Sequence, residues 1–164
     1  LLSSLLPPPA TDGKVRLMSR KLLLTALLLL SPLYAAKKVI VPPELAPAAG
    51  APAPNFSPGI LVDGTLYISG TTGEDLKTNQ IPSSFEAEVK NALDRLGLVL
   101  KAAGMTYGDV VAVNVFLTDM DLFGRMNTVY RTVLNSPRPA RTTVGVTKLA
   151  APTAHIEINM IAHK

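Results

Sequence analysis

The sequence predicts an α+β domain in the order ββαβαββ, a mixed sheet with two helices on one face. Three observations predict it. Short runs rich in β-branched residues stand at both ends and in the middle of the domain. Between them, two stretches switch to three- and four-residue apolar spacing. Each of those stretches is closed by a helix-stopping residue, a glycine or a proline cluster.

The first two strands come from ILVDGTLYISG. Ile60–Val62 is one strand, Asp63-Gly64 a two-residue turn signal, and Thr65–Ser69 the return strand. Residues 70–82, with Gly70, Gly73, Asn79 and Pro82, read as loop. From Ser83 the period changes. Phe85, Val89, Leu93, Leu96, Leu100 and Ala103 fall on one helical face, Ser83 with Glu86 fits a capping box, and Gly104 fits a left-handed stop. DVVAVNVFLTD follows as a strand. Asp119 or Asp121 can cap a second helix near Leu122–Leu134, with Met126, Tyr130 and Val133 inward, and the prolines of NSPRP end it. RPARTTVGVTKLAAPTAHIEINMIA then reads as two strands joined by a small-residue turn.

With 48% hydrophobic residues, few aromatics and no Trp, the core must be mainly aliphatic. Ten of the fourteen prolines precede residue 59, so the domain is placed at 55–164, behind a Pro/Ala-rich, poorly ordered lead-in at 37–54. Residues 18–36 have a basic start at Arg20 and Lys21, an apolar run from Leu22 to Leu30, then Ala35 and Ala36. This is the layout of a secretory signal peptide, too short in its apolar run for a stable membrane span. It implies export to a periplasmic or extracellular space; the alternative is a cytoplasmic protein with an apolar tail. Residues 1–17 read as upstream sequence before a misassigned start.

Most of the net charge of +4 belongs to that N-terminal region. From residue 37 onward twelve bases face eleven acids, which gives no electrostatic argument for nucleic acid. Cysteine is absent, so disulfides, thiol nucleophiles and thiolate metal sites are excluded. The two histidines cannot by themselves make a zinc site.

The last two strands each carry one charge. Side chains alternate along a strand. Thr142, Val144 and Val146 share one face and Arg141, Thr143, Gly145 and Thr147 the other; Ile156, Ile158 and Met160 oppose His155, Glu157 and Asn159. Paired as a hairpin, the strands would turn their apolar faces to the helices and bring Arg141 and Glu157 to the same open face. That face, weakly polar and uncovered, suits burial against another subunit. Two readings of the charges stand. They form an interface ion pair, or Arg141 grips a ligand carboxylate while Glu157 positions or deprotonates a water.

Six phrases in order carry a resemblance: YISG (67–70), KAAG (101–104), VFLTDM (115–120), the Asn-x-x-Tyr of MNTVY (126–130), PAR (139–141) and HIEI (155–158). Over roughly Asn55 to Ala162 the chain resembles the Rid/YjgF family of reactive-intermediate deaminases. The resemblance implies a chorismate-mutase-like fold, a homotrimer and three pockets between subunits. It implies hydrolysis of enamine or imine intermediates, such as 2-aminoacrylate, to 2-keto acids and ammonia, without metal or organic cofactor. In such proteins the arginine matching Arg141 grips the substrate carboxylate and the glutamate matching Glu157 orients the attacking water. Phe56, Ser69, Gly70, Asn127 and Thr143 occupy the matching substrate-binding positions. The sequence departs from the pattern at Phe56, where a tyrosine is usual, at Thr143, where a cysteine is usual, and in the TTGED loop after Gly70. A non-catalytic trimer that holds a small carboxylate metabolite is the alternative.

Other candidates have plainer explanations. His155 reads as structural or surface, His163 as solvated, and Asp119 and Asp121 as caps. Gly70–Gly73 lacks the lysine and spacing of a phosphate loop. Tyr130 reads as core.

Overall fold

The computed structural model describes residues 36–164. The expected upstream and signal segments, 1–17 and 18–36, therefore lie outside the described residues except for Ala36. Six strands and two helices follow: β1 Lys38–Ile40, β2 Gly59–Val62, β3 Thr65–Thr72, α1 Phe85–Ala102, β4 Val110–Leu117, α2 Phe123–Val133, β5 Ala140–Gly145 and β6 Ile156–His163. The sheet order is β1-β2-β3-β6-β4-β5, antiparallel throughout except for the β4–β5 pair, which is parallel.

Local chemistry explains the boundaries. Asp63 and Gly64 both have positive φ, as a tight β-hairpin requires. Ser84, not Ser83, caps α1: its hydroxyl accepts from Ala87 N–H, so the expected Ser83–Glu86 box is not formed. Gly104, at φ 72°, ends the helix in a Schellman turn, with Met105 N–H on Leu100 O and Gly104 N–H on Lys101 O. Asp119 accepts from Asp121 N–H and caps the short 3-10 turn that leads into α2.

The core lies between the two helices and one face of the sheet. Leu93, Leu96, Val115, Leu117, Met126, Ile156 and Ile158 are completely buried, and only Phe85 and Tyr130 among the buried residues are aromatic. Each such aliphatic side chain contributes about 1.5–3 kcal/mol on burial.

Three expectations are corrected. The Pro/Ala lead-in is not structureless, because Lys38–Ile40 adds an edge strand to β2 and buries Ile40. β3 runs on through Gly70–Thr72, which read as loop, by way of a register shift between Ile68 and Thr71. Most important, β5 and β6 are not a hairpin. β6 inserts between β3 and β4, and β5 pairs with the far side of β4.

That pairing turns β5 over. Arg141 is in register with Val113 and Thr143 with Val115, and both valines are buried under the helices. Arg141, Thr143 and Gly145 therefore lie on the helix face, while Thr142 and Val144 face the open side. On β6, Glu157 and Asn159 are in register with Phe116 and Asn114, also on the open side. Arg141 and Glu157 thus occupy opposite faces of one protomer's sheet, two strands apart. The cause is position: β5 is the sheet edge, where the helix layer thins and a guanidinium can lie over aromatic rings instead of entering the core.

Candidate active site

The expected site residues divide into two groups. The first surrounds Arg141. Its guanidinium donates from Nη1 to Asn127 Oδ1 at 2.8 Å and lies over the rings of Tyr130 (4.6 Å) and Phe123 (5.6 Å). Asn127 and Tyr130 are brought there by α2, which presents residues three and four apart on one face. The cavity beside them has a volume of about 410 Å³ and is lined by Asn127, Tyr130, Arg131, Arg138, Pro139 and Arg141. Tyr130 is only 2% exposed, and the buried Thr143 Oγ1 has no hydrogen-bond partner among the described residues. Burial pushes the Tyr130 phenol above its ordinary value, opposed by the charge and hydrogen bonding of Arg141 and by the charge of Arg138.

The second group surrounds Glu157. A cavity of about 340 Å³ is lined by Phe56, Ser69, Gly70, Thr72, Ala150, Ala151 and Glu157. Ser69 pins the segment that carries Phe56: its N–H donates to Pro58 O at 3.0 Å and its hydroxyl to Ser57 O at 2.7 Å. Phe56 itself stays 63% exposed. Gly70 leaves room for the carboxylate as placed: a Cβ there would overlap Glu157 Oε1 and push that flexible side chain aside. Glu157 makes no hydrogen bond or ion pair among the described residues, so its acceptor oxygens remain available. The residues expected in one site thus lie in two separate groups in the protomer: Arg141, Asn127 and Thr143 in one, and Glu157, Phe56, Ser69 and Gly70 in the other.

Sequence reasoning missed a support for the second group. Glu88 on α1 is fully buried, the one charged residue in the described core. Its Oε1 accepts from the backbone N–H of His155 (2.6 Å) and Ile156 (3.2 Å), and its Oε2 takes His155 Nδ1–H at 2.8 Å. Its backbone carbonyl packs so tightly on Gly73 that no side chain fits there, and Asn91 Nδ2 donates to Gly73 O at 3.1 Å. One turn of α1 therefore braces the ends of both strands that carry the Glu157 cavity. The signal was present in the sequence: Glu88 lies three residues from Phe85 and four from Ala92, inside the apolar stripe. His155, read as structural, fills that role. Among the described residues no group of three His, Asp or Glu side chains is close enough to hold a metal ion.

Known proteins share this fold and sequence. A family model described as endoribonuclease L-PSP matches residues 46–164. A mouse protein named 2-iminobutanoate/2-iminopropanoate deaminase is 41% identical over 118 residues, 71% of this chain and 84% of its own. The crystal structure of RidA from the Antarctic bacterium Psychrobacter sp. matches 77% of this chain and 99% of its own, at 33% identity and TM-score 0.69. That of Escherichia coli TdcF with bound serine matches 77% and 98%, at 28% identity and TM-score 0.68.

Proposed function

The chain belongs to the Rid/YjgF family, the one whose model is described as endoribonuclease L-PSP, and on that premise we propose that it hydrolyses 2-imino acids to 2-keto acids and ammonia in pockets between the subunits of a homotrimer. One observation carries the reading. Arg141 and Glu157 face opposite sides of the sheet, each at the edge of an open cavity and each without an ionic partner among the described residues. A second copy can join the halves. The uncovered sheet face supports such an assembly: Tyr67 and Val144 are 50% and 40% exposed on it, and Asn114 and Asn159 are satisfied by each other at 3.0 Å. The mouse relative's name supports the chemistry, and the serine in TdcF shows a family member holding a small amino acid.

The substrate carboxylate docks on the free edge of the Arg141 fork, whose Nη1 is already steered by Asn127. Glu157 of the neighbouring subunit accepts a proton from a water as its oxygen adds to the imine carbon. Glu157 hands that proton to the former imine nitrogen, giving a neutral carbinolamine; it then takes the hydroxyl proton and returns it to nitrogen as the carbon–nitrogen bond breaks, so that ammonia leaves, the carbonyl forms and Glu157 ends as it began. An imine carbon is already electrophilic, so placement of one water and exclusion of bulk solvent suffice. The ribonuclease of the family description is not carried over. The domain is nearly neutral, and the free arginines of this site gather in one pocket instead of tracking a phosphate backbone.

The test is ammonia release from imino acids generated in place by an amino-acid oxidase. Arg141→Lys should lose most turnover because an ammonium cannot reproduce the planar fork. Unchanged turnover in both Arg141→Lys and Glu157→Gln would remove the assignment. For the N-terminal region we propose export with cleavage near Ala35–Lys38, testable by N-terminal sequencing of the protein recovered outside the cytoplasm; intact protein confined to the cytosol would oppose it.

A further inference from the structure

We infer that the substrate carries a second carboxylate, so that the pocket serves 2-imino dicarboxylates of four or five carbons in preference to 2-imino acids with an uncharged side chain. The inference rests on the imine-hydrolase reading and adds a substrate class to it. Three of the six residues lining the Arg141 cavity are arginines, and none is acidic. Arg131 lies four residues after Asn127 on α2, one turn along the same helix face. Arg138 stands in the run that leads into β5, three residues before Arg141. Neither Arg131 nor Arg138 makes an ion pair or a hydrogen bond with any described residue, and Arg141 bonds the neutral Asn127 with no acidic partner.

One guanidinium is enough for one carboxylate. Around a cavity of about 410 Å³, half-buried Arg141 and the exposed Arg131 and Arg138 give a positive potential, screened by solvent, that favours anions over neutral groups. In the assembled site, Glu157 of the neighbour supplies one negative charge. A monoanionic substrate leaves the site at +1, whereas a dianionic one leaves it neutral. Tyr130, buried beneath the Arg141 guanidinium, forms an uncharged wall of the same cavity and supplies no negative charge to offset the arginines. The planar forks of Arg131 and Arg138 suit a distal carboxylate, which neither water nor an apolar side chain would match. The reaction is unchanged in its balance: water adds to the imine carbon, ammonia leaves, and a 2-oxo dicarboxylate forms.

The test separates binding from turnover. Calorimetric titration of the assembled protein with 2-oxoglutarate and with 2-oxobutanoate reads the preference directly. The wild type should bind 2-oxoglutarate roughly ten- to hundredfold more tightly, the range of one charge-assisted contact. Arg131→Ala with Arg138→Ala should bring the ratio to within about threefold, and Arg138→Lys should restore part of it. Light scattering on each variant checks assembly, and the single variants are used if the double variant dissociates. In parallel, ammonia release is compared for the imines of glutamate and alanine. A wild-type binding ratio near one overturns the inference whatever the turnover shows. Displacement of 2-oxoglutarate by inorganic phosphate as readily as by succinate also overturns it, since the site would then take any anion. A retained binding preference with no hydrolysis of either imine would uphold dicarboxylate recognition and sink the hydrolase reading instead.

Discussion

Glu88→Ala should be the most destabilising single change near the site, and the structure sets its size. The substitution strips acceptors from two backbone N–H groups, that of His155, partly buried, and that of Ile156, fully buried, and from the His155 ring. Each orphaned buried donor costs about 1–3 kcal/mol, and water cannot reach Ile156 to replace the lost acceptor. Adding the space left at a fully buried position gives about 3–5 kcal/mol, a large share of a domain's usual 5–15 kcal/mol. For a domain of this size that corresponds to a melting temperature lower by roughly 10–20 °C. Glu88→Gln keeps one oxygen for both backbone donors, and its amide can face the other tautomer of His155. It should cost only about 1 kcal/mol. Urea unfolding followed by circular dichroism measures both. A loss below about 1 kcal/mol for Glu88→Ala, or equal losses for the two variants, would refute the bracing role of the carboxylate.

Further predictions extend to the site and to pH. Glu157→Gln should lower turnover about 10²-fold while carboxylate ligands bind nearly normally, because the amide holds a water but cannot accept its proton; stopped-flow turnover and calorimetry read the two quantities. Gly70→Ala should leave the fold intact by circular dichroism yet cut ammonia release at least about tenfold, because its methyl occupies the space of the Glu157 carboxylate. Glu86 ties α1 to α2 through Arg125 at 2.7 and 2.9 Å, and that contact pulls its carboxyl down to about 2. An acid with a depressed native value contributes stability above its unfolded value of 4.5 and loses it as pH falls through about 2. The stability difference between wild type and Glu86→Gln should therefore be present at pH 6 and vanish near pH 2 in an acid titration of the far-ultraviolet signal. A constant difference across that range would assign it to packing.

Much of the fold was legible because its signals are local. The Asp63-Gly64 turn, the apolar stripe of α1 and its Gly104 stop each depend on a few neighbouring residues, and each appears as read. What failed depends on distant pairing. Nothing within ARTTVG says that its partner is β4 and not β6, yet that choice alone decides which face Arg141 takes. The apolar Val144 suggested an inward face, and edge position overrode it. β1 was hidden because three residues followed by prolines carry too little pattern, and only pairing with β2 defines them as a strand. Arg141 and Glu157 were readable as candidates, while their placement on opposite faces of the sheet was not. Glu88 stood in the sequence as a charge inside an apolar stripe, but its partners lie 67 and 68 residues away. The gathering of Arg131, Arg138 and Arg141 around one cavity depends on α2 and β5 packing side by side, which no local pattern shows.

The central claim is that each active site takes Arg141 from one subunit and Glu157 from another. Complementation between inactive variants tests it most directly. Arg141→Ala and Glu157→Ala are prepared separately, each inactive for ammonia release, then unfolded together in equal amounts and refolded. In a cyclic trimer with random mixing, about a quarter of the interfaces join an intact Arg141 to an intact Glu157, so activity should return to about 25% of the wild type refolded in the same way. Mixed trimers, verified by mass, that remain as inactive as their parents would contradict the account, because a site contained within one subunit cannot be repaired by a neighbour.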